Sequence, residues 1–219
     1  MWMIPAQPFR PAPASARDKL LEAGVKLVRS QGFAGTSLDQ LCAAAGVTKG
    51  AFFHHFASKE ALGVALADYW SSSTGAFFAA SPYHQLADPA QRVLGYIDLR
   101  IALIAGPVES FSCVAGTMVQ EAFLSSDLIR AACNASIMGN AAALEADLAA
   151  AQAQSGASGV TAASLARHIQ AVIQGAFVLA KAQGDAGAAA AAREHLIHLR
   201  RYLEMLLQPA AKENEPCPA

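Results

Sequence analysis

No stretch of about 18 uninterrupted apolar residues occurs in this chain, which argues against a membrane-spanning helix. Cysteine is scarce. The four present, Cys42, Cys113, Cys133 and Cys217, form no CxxC pair and show no metal-ligand spacing. A zinc site is therefore not expected, and a cytosolic setting argues against structural disulfides. Charged residues make up only 15% of the chain while 54% is apolar, so there is ample material for a core and little for disorder. Runs of β-branched residues are also few and alanine is abundant, which favours helices. No GxSxG, HExxH, P-loop or dinucleotide fingerprint appears. Glu121, His168 and the cysteines are scattered without the logic of a catalytic triad, so no enzyme and no cofactor is expected. The opening MWMIPAQPFRPAPA is proline-rich and lacks the long apolar core of a secretory signal. The expectation is a cytoplasmic, soluble protein.

What is present is concentrated between Thr36 and Leu62. Thr36 or Ser37 suits an N-cap, because a side-chain oxygen can accept a free backbone N–H at a helix start. Ser37 with Gln40 fits a capping box. Leu38, Leu41 and Cys42 repeat at helical spacing, and Gly46 falls where a helix must stop and turn left-handed. Thr48 caps a very short helix, Lys49 to Phe56, and Ser58 caps the next. Helix, tight glycine turn and short second helix make the helix-turn-helix pattern, whose second helix enters the DNA major groove. Charge agrees. Residues 1–60 hold seven basic side chains against four acidic, a formal +3, whereas the whole chain sums to −1. A basic head on an acidic body is expected of a DNA reader with a separate sensing module.

The run Gly46-Val47-Thr48-Lys49-Gly50-Ala51-Phe52-Phe53-His54-His55-Phe56-Ala57-Ser58-Lys59-Glu60-Ala61-Leu62 resembles the DNA-binding signature of the TetR/AcrR family of transcriptional regulators. The resemblance is sharp from about Ala14 to Trp70 and only architectural beyond. It implies an all-α fold: a three-helix helix-turn-helix head and a larger helical body for ligand binding and dimerisation. The expected boundaries are a flexible arm over 1–13, in which Arg10 could reach the minor groove, a head over 14–62, a body over 63–208 and a tail over 209–219.

Few side chains on so short a recognition helix can reach bases. Thr48, Lys49, Gly50, Ala51 and Phe53 are the candidates: Lys49 as a donor to guanine or phosphate, Gly50 and Ala51 as residues without bulk. The family commonly has tyrosine where this chain has Phe53, so a phosphate bond is lost there, and Phe53 is left either to pack on a thymine methyl or sugar or to serve only as core. Thr36, Ser37, His54, His55 and Lys59 are the candidate phosphate anchors, which set register without reading sequence. The expected head core is Leu20, Leu27, Phe33, Leu38, Leu41, Val47, Phe52, Phe56 and Leu62.

Further helices are expected over about 15–31, from Ser58 to Ser71–Ser73, from Pro89 to near Gly106, over 109–124, over 126–154, from Thr161 to Gly184 and over 187–207, with 80–88 as a loop. The last two are apolar on more than one face, which supports a homodimer built through them; completion of the body's own core is the alternative. In the body, few charges are expected to be buried. Trp70, Phe77, Phe111, Met118, Phe123, Met138 and Phe177 are candidates to line a pocket for an apolar or aromatic effector. Gln120, Glu121, Asn134, His168 and Gln174 are candidates for its polar groups. Cys113 sits in a segment that resembles one where some family members carry an electrophile- or oxidant-sensing cysteine. The leading expectation is a ligand-responsive homodimeric regulator, most simply a repressor, of a palindromic operator in double-stranded DNA, with no membrane partner. The alternatives are thiol sensing at Cys113 and a small-molecule-binding helical protein without a DNA role.

Overall fold

The computed structural model describes residues 15–184 and 186–208, and every regular element among them is helical. The order is α1 (Ala16–Gln31), α2 (Leu38–Ala45), α3 (Lys49–His55), α4 (Lys59–Ala79), a 3₁₀ turn (Pro82–Gln85), α5 (Pro89–Leu103), α6 (Val108–Phe111), α7 (Val114–Ala122), α8 (Asp127–Ser155), α9 (Ala162–Gln183) and α10 (Ala188–Leu207). The arm over 1–13 with Arg10, the tail over 209–219 and Cys217 lie outside the described residues. The other three cysteines are free and buried.

Helix starts are fixed locally. Ser15, Ser37, Thr48, Ser58, Ser126 and Thr161 each accept a backbone N–H three residues ahead. Each such cap contributes roughly 1 kcal/mol. At α2 the capping box is complete: Ser37 Oγ accepts the Gln40 N–H at 3.2 Å and Gln40 Oε1 accepts the Ser37 N–H at 2.9 Å. Gly46 ends α2 with φ +64, a left-handed conformation that disfavours a side chain.

The head closes over one small core. Leu20, Leu41, Phe52, Phe56 and Leu62 are buried as expected. Leu27, Phe33, Leu38 and Val47 are partly buried against them. The body is a helical stack in which α4 lies along α8, α8 along α9, and α9 along α10, with α5 packed on both α8 and α10.

Three boundaries differ from the sequence reading, each for a local reason. First, α4 runs past Ser73 to Ala79. Its polar run stays helical because Ser72 and Thr74 hydroxyls donate back to the Asp68 and Trp70 carbonyls at 2.8 and 2.7 Å, and Phe78 beyond them is buried. Second, the single helix expected over 109–124 is two helices. Residues 111–118 are all buried, and a break at Ser112-Cys113 turns both α6 and α7 inward. Cys113 caps α7, its Sγ accepting the Gly116 N–H at 3.3 Å. Third, α5 ends at Leu103, earlier than Gly106, and the segment before α5 contains the 3₁₀ turn that buries Tyr83.

Candidate nucleic-acid interface and buried cavity

The α2–α3 pair presents a small, outward face. Phe52 on the inner side of α3 is fully buried, which fixes the opposite side toward solvent. Thr48, Lys49 and Gly50 are exposed there, and Ala51 is partly so. Phe53 is 54% exposed, its ring edge-on to Phe52 at 5.2 Å, so it is not a core residue. Thr48 spends one oxygen lone pair on the Ala51 N–H at 3.2 Å. Lys49 pairs with Asp39 at 2.7 Å, both side chains well exposed. The carboxylate pushes the Lys49 pKa up by hydrogen bond and charge. An exposed pair of this kind exchanges readily for another anion. His54 is exposed and His55 half-buried, with ring centroids 4.9 Å apart at the C-terminal end of α3.

Two of the expected phosphate anchors are otherwise engaged. Thr36 is buried, and its hydroxyl donates to the Gly32 carbonyl at 2.6 Å inside the head. It is a structural residue; Ser37, exposed beside it, holds the cap. Lys59 turns back toward the loop after α1, donating to the Ala34 carbonyl at 3.3 Å and lying 4.8 Å from the Phe33 ring centre. Burial lowers its pKa, partly offset by the charge of Glu121.

That loop is also where the body grips the head. The Glu121 carboxylate, on α7, accepts the Ala34 N–H at 2.7 Å. The Ala34 peptide is thus held on one side by the body and on the other by Lys59. A second tie joins Ser126, which caps α8, to Glu60 on α4 at 2.5 Å. Gly32 has φ +84, and a Cβ there would overlap the Glu121 carboxylate, so the loop is shaped around this contact.

Between head and body lies a cavity of about 400 Å³, within the range of small-molecule sites. Of the expected lining residues, Trp70, Phe77, Phe111 and Phe177 are there. Cys113 and Met118 are buried in the core away from the lining. Phe123 and Met138 are 48% and 41% exposed on the surface. His168 is also exposed, on α9, with its ring 5.9 Å from that of Tyr202. None of Gln120, Glu121, Asn134, His168 and Gln174 lines the cavity. Its polar groups are instead Glu22, Lys26, Arg29, Arg100 and Glu109, with hydroxyls of Ser73, Thr74 and Ser110. Arg29, on α1 of the head, and Arg100, on α5, are half-buried at this wall, and none of the charged side chains among the described residues is fully buried, in keeping with a body of few buried charges.

Comparison with known proteins gives a family match for the head and a fold match for the chain. A family model described as "Bacterial regulatory proteins, tetR family" matches residues 20–66, the span of α1 to α4 that frames the exposed helix. The repressor NemR of Escherichia coli (strain K12) is 48% identical over 50 residues, 23% of this chain and 25% of NemR. The repressor DhaR of Mycobacterium sp. (strain GP1) is 28% identical over 114 residues, 52% of this chain and 56% of DhaR. These alignments span a quarter to about half of the relatives' lengths. The fold extends the likeness to the whole chain. The reduced form of E. coli NemR superposes with a TM-score of 0.74 at 24% identity, covering 90% of this chain and 100% of NemR. A TetR-family regulator from Agrobacterium tumefaciens gives 0.73 at 24%, covering 89% and 99%.

Residues 20–66 match the tetR-family model, and the chain has the fold of TetR-family regulators.

Within this TetR-family frame, α1 serves both halves. It packs against α2 and α3 in the head, and it supplies Glu22, Val25, Lys26 and Arg29 to the cavity wall. The sequence reading counted Lys26 and Arg29 only as part of a basic head. Their i, i+3 spacing on one helix put them on a common side, but which side faced the body depended on how α4 crosses α1. On the far side of the molecule, α9 and α10 bury one stripe each and leave a second apolar stripe outward. Val178, Leu179, Ile197, Tyr202 and Met205 are 41–69% exposed.

Proposed function

We propose that this protein is a cytoplasmic, effector-responsive transcriptional repressor that binds a palindromic operator in double-stranded DNA as a homodimer. A head over 14–62 reads DNA, and a body over 63–208 senses and dimerises. The observation that carries the reading is the outward face of α3: a capped, two-turn helix after a left-handed glycine turn, pinned from behind by Phe52, that leaves Thr48, Lys49, Gly50 and Phe53 free for a groove. The repressor names of NemR and DhaR support the sign of regulation. A helix-turn-helix reader needs two half-sites and hence two heads, and the second apolar stripe of α9 and α10 is the surface suited to pair them.

Effector response follows from α1 and α4 being walls of the cavity and struts of the head at once. A ligand that favours one spacing of these helices shifts the population of head positions by its differential affinity. The reading is tested by selecting a random DNA library with purified protein. Enrichment of a palindromic motif with two half-sites is expected. Folded protein that enriches nothing contradicts it and favours a small-molecule-binding protein without a DNA role.

One observation favours a second reading of the trigger. Cys113 Sγ receives the Gly116 N–H at the start of α7, and Glu121 near the other end of α7 holds the head loop. Modification of that sulfur would disturb the α7 cap. Retention of full operator affinity after selective alkylation of Cys113 excludes this trigger.

A further inference from the structure

We infer that the cavity between α1, α4, α5, α6 and α9 is built for an organic anion, specifically an aromatic carboxylate, whose charge is received by Arg29 and Arg100. The inference takes the cavity to be the effector site proposed above and names the class of effector.

Arg29 is the first ground. Its Nε is buried and has no hydrogen-bond partner among the described residues. Its guanidinium lies 5.1 Å from the Trp70 ring centre, and burial pulls its pKa down to about 10, with the charges of Cys113 and Glu109 pulling weakly the other way. A cation that is desolvated and not ion-paired is costly in itself, and an incoming carboxylate would supply the missing acceptor in a bidentate geometry that guanidinium fits well.

Arg100 is the second. It is stacked on Phe78 at 4.1 Å and beside Tyr96 at 5.1 Å. Among the described residues only its Nε is engaged in a hydrogen bond, donating to the Tyr96 hydroxyl at 2.9 Å, and that hydroxyl is held in turn by Gln170 at 3.2 Å. The terminal nitrogens of a rigidly placed fork are thereby left for a ligand. Like Arg29, this side chain makes no ion pair among the described residues, although Glu22 and Glu109 also line the cavity. Three cationic side chains against two carboxylates leave the lining formally positive. The rest of the wall is aromatic, with Trp70, Phe77, Phe111 and Phe177 offering ring faces and edges. A neutral apolar compound would leave both guanidiniums as they stand, whereas an aromatic carboxylate satisfies both parts of the wall. Arg29 also belongs to α1, so the ligand's charge would act directly on a helix of the head.

The test uses the full chain and matched ligands: benzoate, 2-naphthoate and indole-3-acetate, each with its neutral carboxamide, and 2-naphthylmethylamine as a cationic control. Binding is read by calorimetry without DNA, and operator binding is measured separately on the same preparation. At least one carboxylate is expected to bind tenfold or more tighter than its amide. Arg29→Gln and Arg100→Gln are expected to remove most of that preference while leaving amide binding within about threefold. If Arg29→Gln fails to fold, Arg100→Gln and Arg29→Lys carry the comparison. The inference is overturned if no carboxylate binds, if amide or amine binds as tightly, or if the preference survives the substitutions. Each of those results leaves the DNA-binding reading standing when the operator is still bound. Loss of operator binding by the unliganded wild type, with carboxylate preference intact, overturns the regulator and not the ligand class.

Discussion

Lys49 stands at the first position of α3, exposed and paired with Asp39 across the surface. Its replacement removes no buried contact. Lys49→Ala is therefore expected to weaken operator binding by about 1–3 kcal/mol, the range of a good base contact, while the melting temperature stays within a degree or so. Fluorescence anisotropy and a thermal melt decide it, and unchanged affinity takes Lys49 off the reading surface. Thr36 gives the opposite pattern. Its hydroxyl is spent on the Gly32 carbonyl inside the head, so Thr36→Val is expected to cost about 1 kcal/mol of stability. The salt dependence of DNA binding should not change, because no phosphate contact is lost; a reduced slope would restore Thr36 as an anchor. The two residues show what was legible at this scale. The short-range pattern placed both at helix starts, since capping is written in neighbours. Which of two adjacent hydroxyls caps and which turns inward depends on the loop after α1, and that loop is set by Glu121, far along the chain.

At the scale of elements, α1 and α4 carry the account. Both frame the helix-turn-helix, and both wall the cavity. The contact that fixes the head loop is the Ala34 N–H on Glu121. Gly32→Ala places a methyl against that carboxylate and puts a side chain at φ +84, a strain of roughly 1–3 kcal/mol. In a chain of this size the expected drop in melting temperature is about 2–4 °C for each kcal/mol. A calorimetric scan showing no drop would mean that the loop re-forms without the Glu121 contact. Helix periodicity in the sequence located nearly every element, because apolar stripes are local. It ran α6 and α7 together because nothing in residues 109–124 is a proline or an obvious breaker; the break at Ser112-Cys113 is imposed by burial on all sides. It also took surface aromatics such as Phe123 for pocket walls, since periodicity tells how a helix is striped and not which neighbour covers each stripe. Arg29 and Arg100 escaped for the same reason: a cation reads as solvent-facing until packing encloses it.

For the whole molecule, the proposed dimeric reading requires two heads held at a fixed separation. The stripe of Val178, Leu179, Ile197, Tyr202 and Met205 is the surface proposed to hold them. Met205→Glu together with Ile197→Glu would bury charge in that contact. The double variant is expected to sediment as a monomer and to lose palindromic binding, while its helical content stays intact; a variant that remains dimeric places the contact elsewhere. The charge asymmetry seen in the sequence belongs to this scale as well. It survives in sign, but Lys26 and Arg29 line the cavity and Lys59 bonds the loop, so fewer basic groups than counted face DNA in a single head. In the proposed dimer, two heads would double the number available.

The most direct measurement is the affinity of the full chain for its selected operator as salt is raised from 50 to 200 mM. A dimer neutralising some 6–10 phosphates should lose about 10³–10⁵-fold in affinity over that interval, with a linear dependence of log affinity on log salt. That result would establish a DNA-reading dimer. An affinity that hardly changes with salt, or no binding at the lowest salt by protein that is folded and dimeric, would contradict the account.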